Sequence, residues 1–199
     1  MQPQTNKDYN SKLTVEQYVK LEQETNQKYE FHDGQVYAMA GGTDSHNTIM
    51  VNLSGEIYTR LKGKECRIKN SETKLYLENK NKYVYPDAMI ICGEQEKAKN
   101  LKDAFTNPVV IIEVLSKSTQ GYDRGDKFGF YRAICSLRHY VLVEQKEAKI
   151  DIFSRKSPTS LWDIQTIEGL ESNLELEISE TETLIIPLKD IYYDVVFEQ

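Results

Sequence analysis

Apolar positions recur along the chain with two different periods, and the change of period marks out its elements. Val15, Tyr18 and Val19 follow Thr14, and Thr14 with Gln17 three residues on is a capping-box pattern, so a short helix is predicted through about Gln23. Residues 29–40 (YEFHDGQVYAMA) alternate around Asp33-Gly34 and read as a β-hairpin, followed by the loop GGTDSHN. Ile49, Met50, Leu53, Ile57, Tyr58 and Leu61 then return every three or four residues, which predicts an amphipathic helix over 46–62 ended by Gly63. Such a helix needs a sheet to cover. The sequence offers a strand near 73–78, a turn at Asn79-Lys80-Asn81, then YVYPDAMIIC and, after a charged loop, PVVIIEVLS. The last two are the most apolar segments of the chain. Strands with so little polar alternation are covered on both faces, which argues for an α/β (α+β) class, a central mixed sheet flanked by helices, rather than a sandwich. A helix from about Asp123 to Ile134 joins PVVIIEVLS to HYVLVE, and strand, helix, strand at that spacing is a βαβ crossover. Residues 149–154 and 161–167 continue as antiparallel strands, and the chain closes on Pro187 and IYYDVVF.

Composition adds bounds to this picture. With 199 residues, 39% hydrophobic and 28% charged, the expectation is one globular domain over 1–199 with 1–11 as a polar tail. Cys66, Cys92 and Cys135 lie far apart without CxxC spacing, and read as small buried or half-buried residues of a reducing compartment. No apolar run has the length of a membrane span and the N-terminus is polar, so a cytoplasmic protein without a membrane partner is expected. The net charge of −6 argues against coating nucleic acid through bulk positive charge. That acidity is uneven: residues 160–199 hold ten acids and one lysine, and the remainder is net +3. Between 55 and 75, Arg60, Lys62, Lys64, Arg67, Lys69 and Lys74 stand against Glu56, Glu65 and Glu72, either a phosphate-facing patch or a solvated helix end.

The informative residues are single acids set into the two most hydrophobic strands, Asp87 in YVYPDAMII and Glu113 in VVIIEVL. A buried unpaired carboxylate costs several kcal/mol, so each needs a cation, a hydrogen-bonding partner or a raised pKa. Two of them on adjoining strands suggest a common partner. Hard oxygen ligands without a His or Cys cluster point to Mg²⁺ or Mn²⁺ rather than zinc. A third acid, Glu30, lies between Tyr29 and Phe31. The bland alternative is that each acid ends a strand, facing solvent or pairing with an arginine.

Pro86-Asp87, followed by Glu113 at the end of the next strand with a lysine nearby, resembles the PD-(D/E)xK phosphodiesterase superfamily of restriction enzymes, resolvases and repair nucleases. YEFHDGQVYAMAGGTDSHN, YPDAMIIC, EVLSKST, YDRGDKFGFYRAI and SLRHYVLV are similar to successive motifs of its bacterial "putative restriction endonuclease" family, the Uma-type family, over roughly residues 12–196. The resemblance implies a restriction-endonuclease-like core. It makes Asp87 and Glu113 metal-ligating carboxylates, adds the Val114 carbonyl as a ligand, and gives a metal that polarises the scissile phosphate and activates a water. A strict ExK reading puts Leu115 at the lysine position, where it cannot serve; the resemblance favours Lys127 on the following helix, with Lys117 as the rival. A solvated Lys127 paired with Asp123 is the plain alternative. Glu30 matches an N-terminal acid that orients water or holds a second metal, and is counted as catalytic. His46, Glu72, Asp123 and Tyr131 are weaker candidates, the last two placed a turn on either side of Lys127. His139 stands where relatives carry glutamate.

The leading function is a Mg²⁺- or Mn²⁺-dependent DNA endonuclease. A non-catalytic nucleic-acid-binding or assembly protein on the same fold is the alternative, and an enzyme for another phosphodiester or nucleotide is a third. The retained Asp87, Glu113 and Lys127 speak against a decayed site. No helix-turn-helix or zinc finger is legible, so sequence-specific cutting would need a partner or a homodimer, for which LIIPLKDIYYDVVF is an interface candidate; packing onto the sheet is its other reading.

Overall fold

The computed structural model describes residues 12–39, 41–116 and 120–197, so the tail 1–11 lies outside the described residues. α1 (Val15–Thr25) opens on the capping box, with the Thr14 hydroxyl accepting the Gln17 N–H at 3.2 Å and the Gln17 side chain accepting the Thr14 N–H at 2.8 Å. β1 (Tyr29–His32) and β2 (Gln35–Ala38) form the hairpin. Asp33 and Gly34 both have positive φ, 47° and 94°, as a type I′ turn requires, and a Cβ on Gly34 would stand 2.8 Å from Lys12 Cβ. α2 (Asp44–Leu61) carries Ile49, Leu53, Ile57 and Leu61 as one buried stripe, each side chain contributing roughly 1.5–3 kcal/mol by leaving water.

The central layer is a six-stranded mixed sheet. In chain order its strands are β3 (Cys66–Asn70), β6 (Ala88–Cys92), β8 (Val110–Val114), β9 (His139–Val143), β10 (Lys149–Ser154) and β11 (Asp163–Glu168). Their spatial order is β11-β10-β9-β8-β6-β3, with only β8 and β9 parallel. The parallel pair is the predicted crossover. Its helix is a run of α3 (Gln120–Tyr122), a π-helical turn over Asp123–Lys127 and α4 (Phe128–Tyr131). β4 (Lys74–Leu77), β5 (Lys82–Val84) and β7 (Ala104–Phe105) join the hairpin in a second, five-stranded sheet ordered β2-β1-β5-β4-β7. YVYPDAMIIC is therefore two strands of different sheets, and the chain crosses between them at Pro86-Asp87, where proline has no N–H to extend a ladder.

Alternation divides the core. Ala88, Ile90, Val110, Ile112, Val141 and Val143 face α2, a hairpin of β12 (Asn173–Glu177) and β13 (Thr183–Pro187), and α5 (Leu188–Ile191). Met89, Ile91, Ile111, Leu115, Tyr140 and Leu142 face the crossover helix and the five-stranded sheet. α1 covers the outer face of that second sheet through Tyr18 and Leu21 on Tyr29, Phe31 and Tyr83. Among the described residues, no helix is long and apolar enough to cross a membrane.

Two expectations change. Cys66 and Cys92 are directly paired across β3 and β6 and form a disulfide, because the antiparallel register sets two distant thiols opposite each other; the exposed Cys135 is the free one. Residues 66–70 are an edge strand rather than a helix end. The closing segment packs in part: Leu184, Ile186, Leu188, Ile191 and Tyr192 are buried on the sheet, with Ile185, Tyr193 and Val196 exposed.

His139 lies on the α2 side of β9, away from the acids. Its Nε2–H donates to the Glu177 carbonyl at 3.0 Å, and Nδ1 meets the Ser154 hydroxyl at 2.8 Å, so the neutral ring ties β9 to β12. Burial holds its pKa below the ordinary histidine value. A depressed histidine favours the neutral fold: this contribution is complete above the unfolded value of about 6.5 and is lost as pH falls through the folded pKa. His139→Gln, which takes no proton, is expected to narrow the difference in urea midpoint between pH 7.5 and pH 5.5. An unchanged difference would show that His139 does not carry it.

Candidate active site

β6 and β8 pair antiparallel with Ala88 opposite Ile112, so the next step in register sets Asp87 beside Glu113. The junction is then closed by the backbone: the N–H of Val114 donates to Asp87 Oδ2 at 2.8 Å. Glu113 shares its face of β8 with Ile111 and Leu115, and is 3% exposed. Two donors from the crossover helix compensate its burial. The Tyr131 hydroxyl reaches Glu113 Oε1 at 3.0 Å, and the Lys127 ammonium reaches the same oxygen at 3.0 Å. Lys127 also pairs with Asp123 Oδ1 at 3.1 Å, and Asp123 is itself buried.

Charge is unbalanced in this cluster. Burial pushes the Glu113 carboxyl up to about 8, against the pull of Lys127 and with the help of Asp87 and Asp123. Burial would lower the Lys127 ammonium, but Glu113, Asp123 and Glu30 hold it well above the ordinary lysine value. The π-helical turn determines which residues gather here. At the wider π spacing, positions five apart share a face, which brings the Tyr122 ring to 6.0 Å from the Lys127 ammonium.

Residues 15–187 match Uma2, the family described as "Putative restriction endonuclease". The chain belongs to the Uma2 family. It is 37% identical over 144 residues to the uncharacterised protein slr1290 of Synechocystis, covering 72% of this chain and 75% of that one. A second uncharacterised Synechocystis protein, sll1609, is 33% identical over 167 residues, 84% of this chain and 93% of the relative. A crystal structure from Anabaena variabilis, described as a putative nuclease belonging to DUF820, superposes with a TM-score of 0.71 at 14% identity, covering 92% of this chain and 99% of that one. The fold is restriction-endonuclease-like, and its helices flank the central mixed sheet.

On this Uma2 fold, Glu30 comes from the five-stranded sheet. Tyr29 and Phe31 point to α1, so Glu30 between them points the other way, toward the crossover helix. Its Oε2 accepts the His32 Nε2–H at 3.0 Å. Burial would raise the Glu30 carboxyl, yet the His32 hydrogen bond and the charges of Lys127, His32 and Lys82 hold it below the usual range. His46, one turn into α2, donates from Nε2 to Asp87 Oδ2 at 3.1 Å. Burial works against its protonation, but the hydrogen bond and charge of Asp87 raise its pKa. A Cβ at Gly42 would stand 2.7 Å from His46 Nδ1, so the glycine lets the loop pass over the ring.

The structure thus brings Asp87, Glu113, Asp123, Lys127, Tyr131 and His46 into one bonded cluster, with Glu30 coupled to it through charge. Tyr131 holds Glu113 rather than Lys127. Val114 enters through its N–H. Glu72 is exposed and paired with Lys28 at 2.7 Å, outside the cluster. Lys117 lies outside the described residues. Sequence reasoning missed His32, Lys82 and Tyr122. His32 was accessible to it, since residues two apart on a strand share a face; Lys82, whose ammonium lies 3.4 Å from His32 Nδ1, depends on the pairing of β1 with β5.

Proposed function

We propose that the chain is a Mg²⁺- or Mn²⁺-dependent DNA endonuclease that hydrolyses phosphodiesters. The observation that carries this reading is the placing of Asp87 and Glu113 on adjoining strand ends with the Lys127 ammonium 3.0 Å from Glu113. The donor chemistry fits the ion. Mg²⁺ binds through one or two carboxylates while keeping waters and substrate phosphate oxygens, and Asp87 with Glu113 supplies two. The described contacts to Asp87 fall on Oδ2 and those to Glu113 on Oε1, so the second oxygen of each carries no described hydrogen bond that a cation would have to displace. Asp87, Glu113 and the Val114 carbonyl would hold it. When bound, the ion would polarise the phosphate and lower the pKa of a water.

The chain's own residues do the rest. Lys127, held between Glu113 and Asp123, keeps a fixed positive charge for the attacking water or the charge that builds on phosphate oxygens. Tyr131 fixes the rotamer of Glu113, His46 and the Val114 N–H fix that of Asp87, and His32 fixes that of Glu30, the acid that would orient the water. Purified protein is expected to cut plasmid or oligonucleotide DNA in Mn²⁺ or Mg²⁺ and to stop when EDTA is added. Absence of metal-dependent cutting on duplex, branched and single-stranded DNA would overturn the reading.

A further inference from the structure

The outer side of α2 is left without a partner by the fold. With Ile49, Leu53, Ile57 and Leu61 turned to the sheet, the opposite line of the helix runs through Asp44, Val51, Gly55 and Lys62, with Asn47 and Tyr58 beside it. Val51 is 71% exposed and Tyr58 59%. A surface helix ordinarily gives this line to charged residues. Here the only carboxylate between Ser45 and Leu61 is Glu56 and the only lysine or arginine is Arg60, and these two pair with each other. Gly55 lies near the middle of the line. A glycine inside a helix weakens it relative to alanine, yet a Cβ at Gly55 would meet no atom within 4 Å, so nothing inside the molecule requires it. What a bare glycine on an outer face permits is the close approach of another backbone.

The apolar character continues past the helix. β13 and the C-terminal segment run alongside α2: the Asn52 amide donates to the carbonyls of Ile191 and Tyr193, Arg60 donates to that of Ile185, and the Ser45 hydroxyl to that of Val196. Of the eight large apolar side chains exposed among the described residues, five therefore gather on α2 or beside it, Val51, Tyr58, Ile185, Tyr193 and Val196. Such a group marks a protein contact. The charges around it are selective. The six bases between residues 55 and 75 do not form one patch, because Arg60 is taken by Glu56, Lys64 by Glu182, Lys74 by Glu22 and Asp103, and Arg67 by the carbonyls of Lys64 and Cys66. Lys62 and Asp44 make no ion pair among the described residues. They stand at opposite ends of the same helix line, about 27 Å apart at 1.5 Å per residue.

We infer that the outer side of α2 is the contact between two copies of this chain, packed antiparallel about a two-fold axis level with Leu53. In that register Asp44 meets Lys62 of the partner subunit, Val51 closes on Gly55 of the partner subunit, and Tyr58 packs beside Asn47 of the partner subunit. On the flank, Tyr193 lies level with Tyr193 of the partner subunit and Val196 with Ile185 of the partner subunit. Acid meets base at both ends and apolar side chains meet in the middle, which is the self-complementarity a two-fold contact needs, and antiparallel helix dipoles attract. His46 holds Asp87 from the inner side of the same helix, so the register sets the two candidate sites at opposite ends of the pair, about 21 Å apart along the helix axes.

Sedimentation equilibrium of the full chain tests this. Wild type approaches twice the 23.1 kDa of one chain by about 10 µM. Gly55→Glu places a better helix former in open space, so it keeps the circular-dichroism spectrum while weakening association at least about a hundredfold. Asp44→Lys sets like charges together at both ends and weakens association about tenfold. Adding Lys62→Asp restores it to within about threefold, although each change on its own opposes the helix dipole. Leu161→Asp, exposed on another part of the surface, leaves the dimer as it was. A wild type still monomeric at about 0.1 mM would overturn the assignment and leave this face to a different protein. A dimer that Gly55→Glu does not weaken, or a double charge reversal that does not restore it, would equally remove the antiparallel α2 contact.

Discussion

Lys127→Met is expected to abolish metal-dependent cleavage and to lower stability most at alkaline pH, by up to about 3–5 kcal/mol. The ammonium is the cation between Glu113 at 3.0 Å and Asp123 at 3.1 Å, and methionine, similar in length, leaves both buried carboxyls without it. Burial already holds the Glu113 carboxyl at about 8 against the pull of Lys127, and in the variant that pull is gone, so its folded pKa rises further above the unfolded value of about 4. A raised carboxyl favours the fold only when protonated. The deficit is therefore small while Glu113 is protonated in both proteins and grows as pH rises through the wild-type value of about 8. Urea melts of wild type and Lys127→Met in metal-free buffer at pH 5.5 and pH 8.5 read this directly. A deficit equal at the two pH values would show that the acids do not depend on Lys127.

Asp87→Asn is expected to cut at least about a thousandfold more slowly while keeping the wild-type thermal midpoint to within a few degrees. Asparagine keeps an oxygen that can accept the Val114 N–H now held at 2.8 Å, so the local fold survives. What it loses is the negative charge that would hold a divalent cation. Initial cleavage rates at saturating Mn²⁺, with melting curves on the same preparations, separate the two effects. A variant cutting within tenfold of wild type would remove Asp87 from the reaction.

The central frame was legible because strands covered on both faces carry almost no polar positions. Ala88–Cys92, Val110–Val114 and His139–Val143 are nearly all apolar, and an acid in such a strand is conspicuous. The capping box at Thr14 and the turn at Asp33-Gly34 were legible for a local reason, since three or four residues specify each. β3 was not, because Arg67 and Lys69 mask the period of an edge strand whose outer side meets water. The β12–β13 hairpin alternates cleanly at Leu174, Leu176, Leu184 and Ile186, but its acids drew attention to charge instead. In the site, Asp87, Glu113 and Lys127 stood out as residue types in unusual places. Their partners did not: the bond from His46 to Asp87 spans 41 residues, and the Tyr122 contact depends on a π-helical turn that no apolar period announces.

The acids of the cluster come from both sheets, Glu30 from the five-stranded one and Glu113 from the six-stranded one, with the chain passing between them at Asp87. Glu30 and Lys127 come within range only when the two sheets have docked. During refolding from urea, far-ultraviolet circular dichroism should then recover ahead of cleavage. On the proposed nuclease reading, cleavage would then serve as a clock for the last step of assembly, and a chain with finished but undocked sheets would leave DNA untouched.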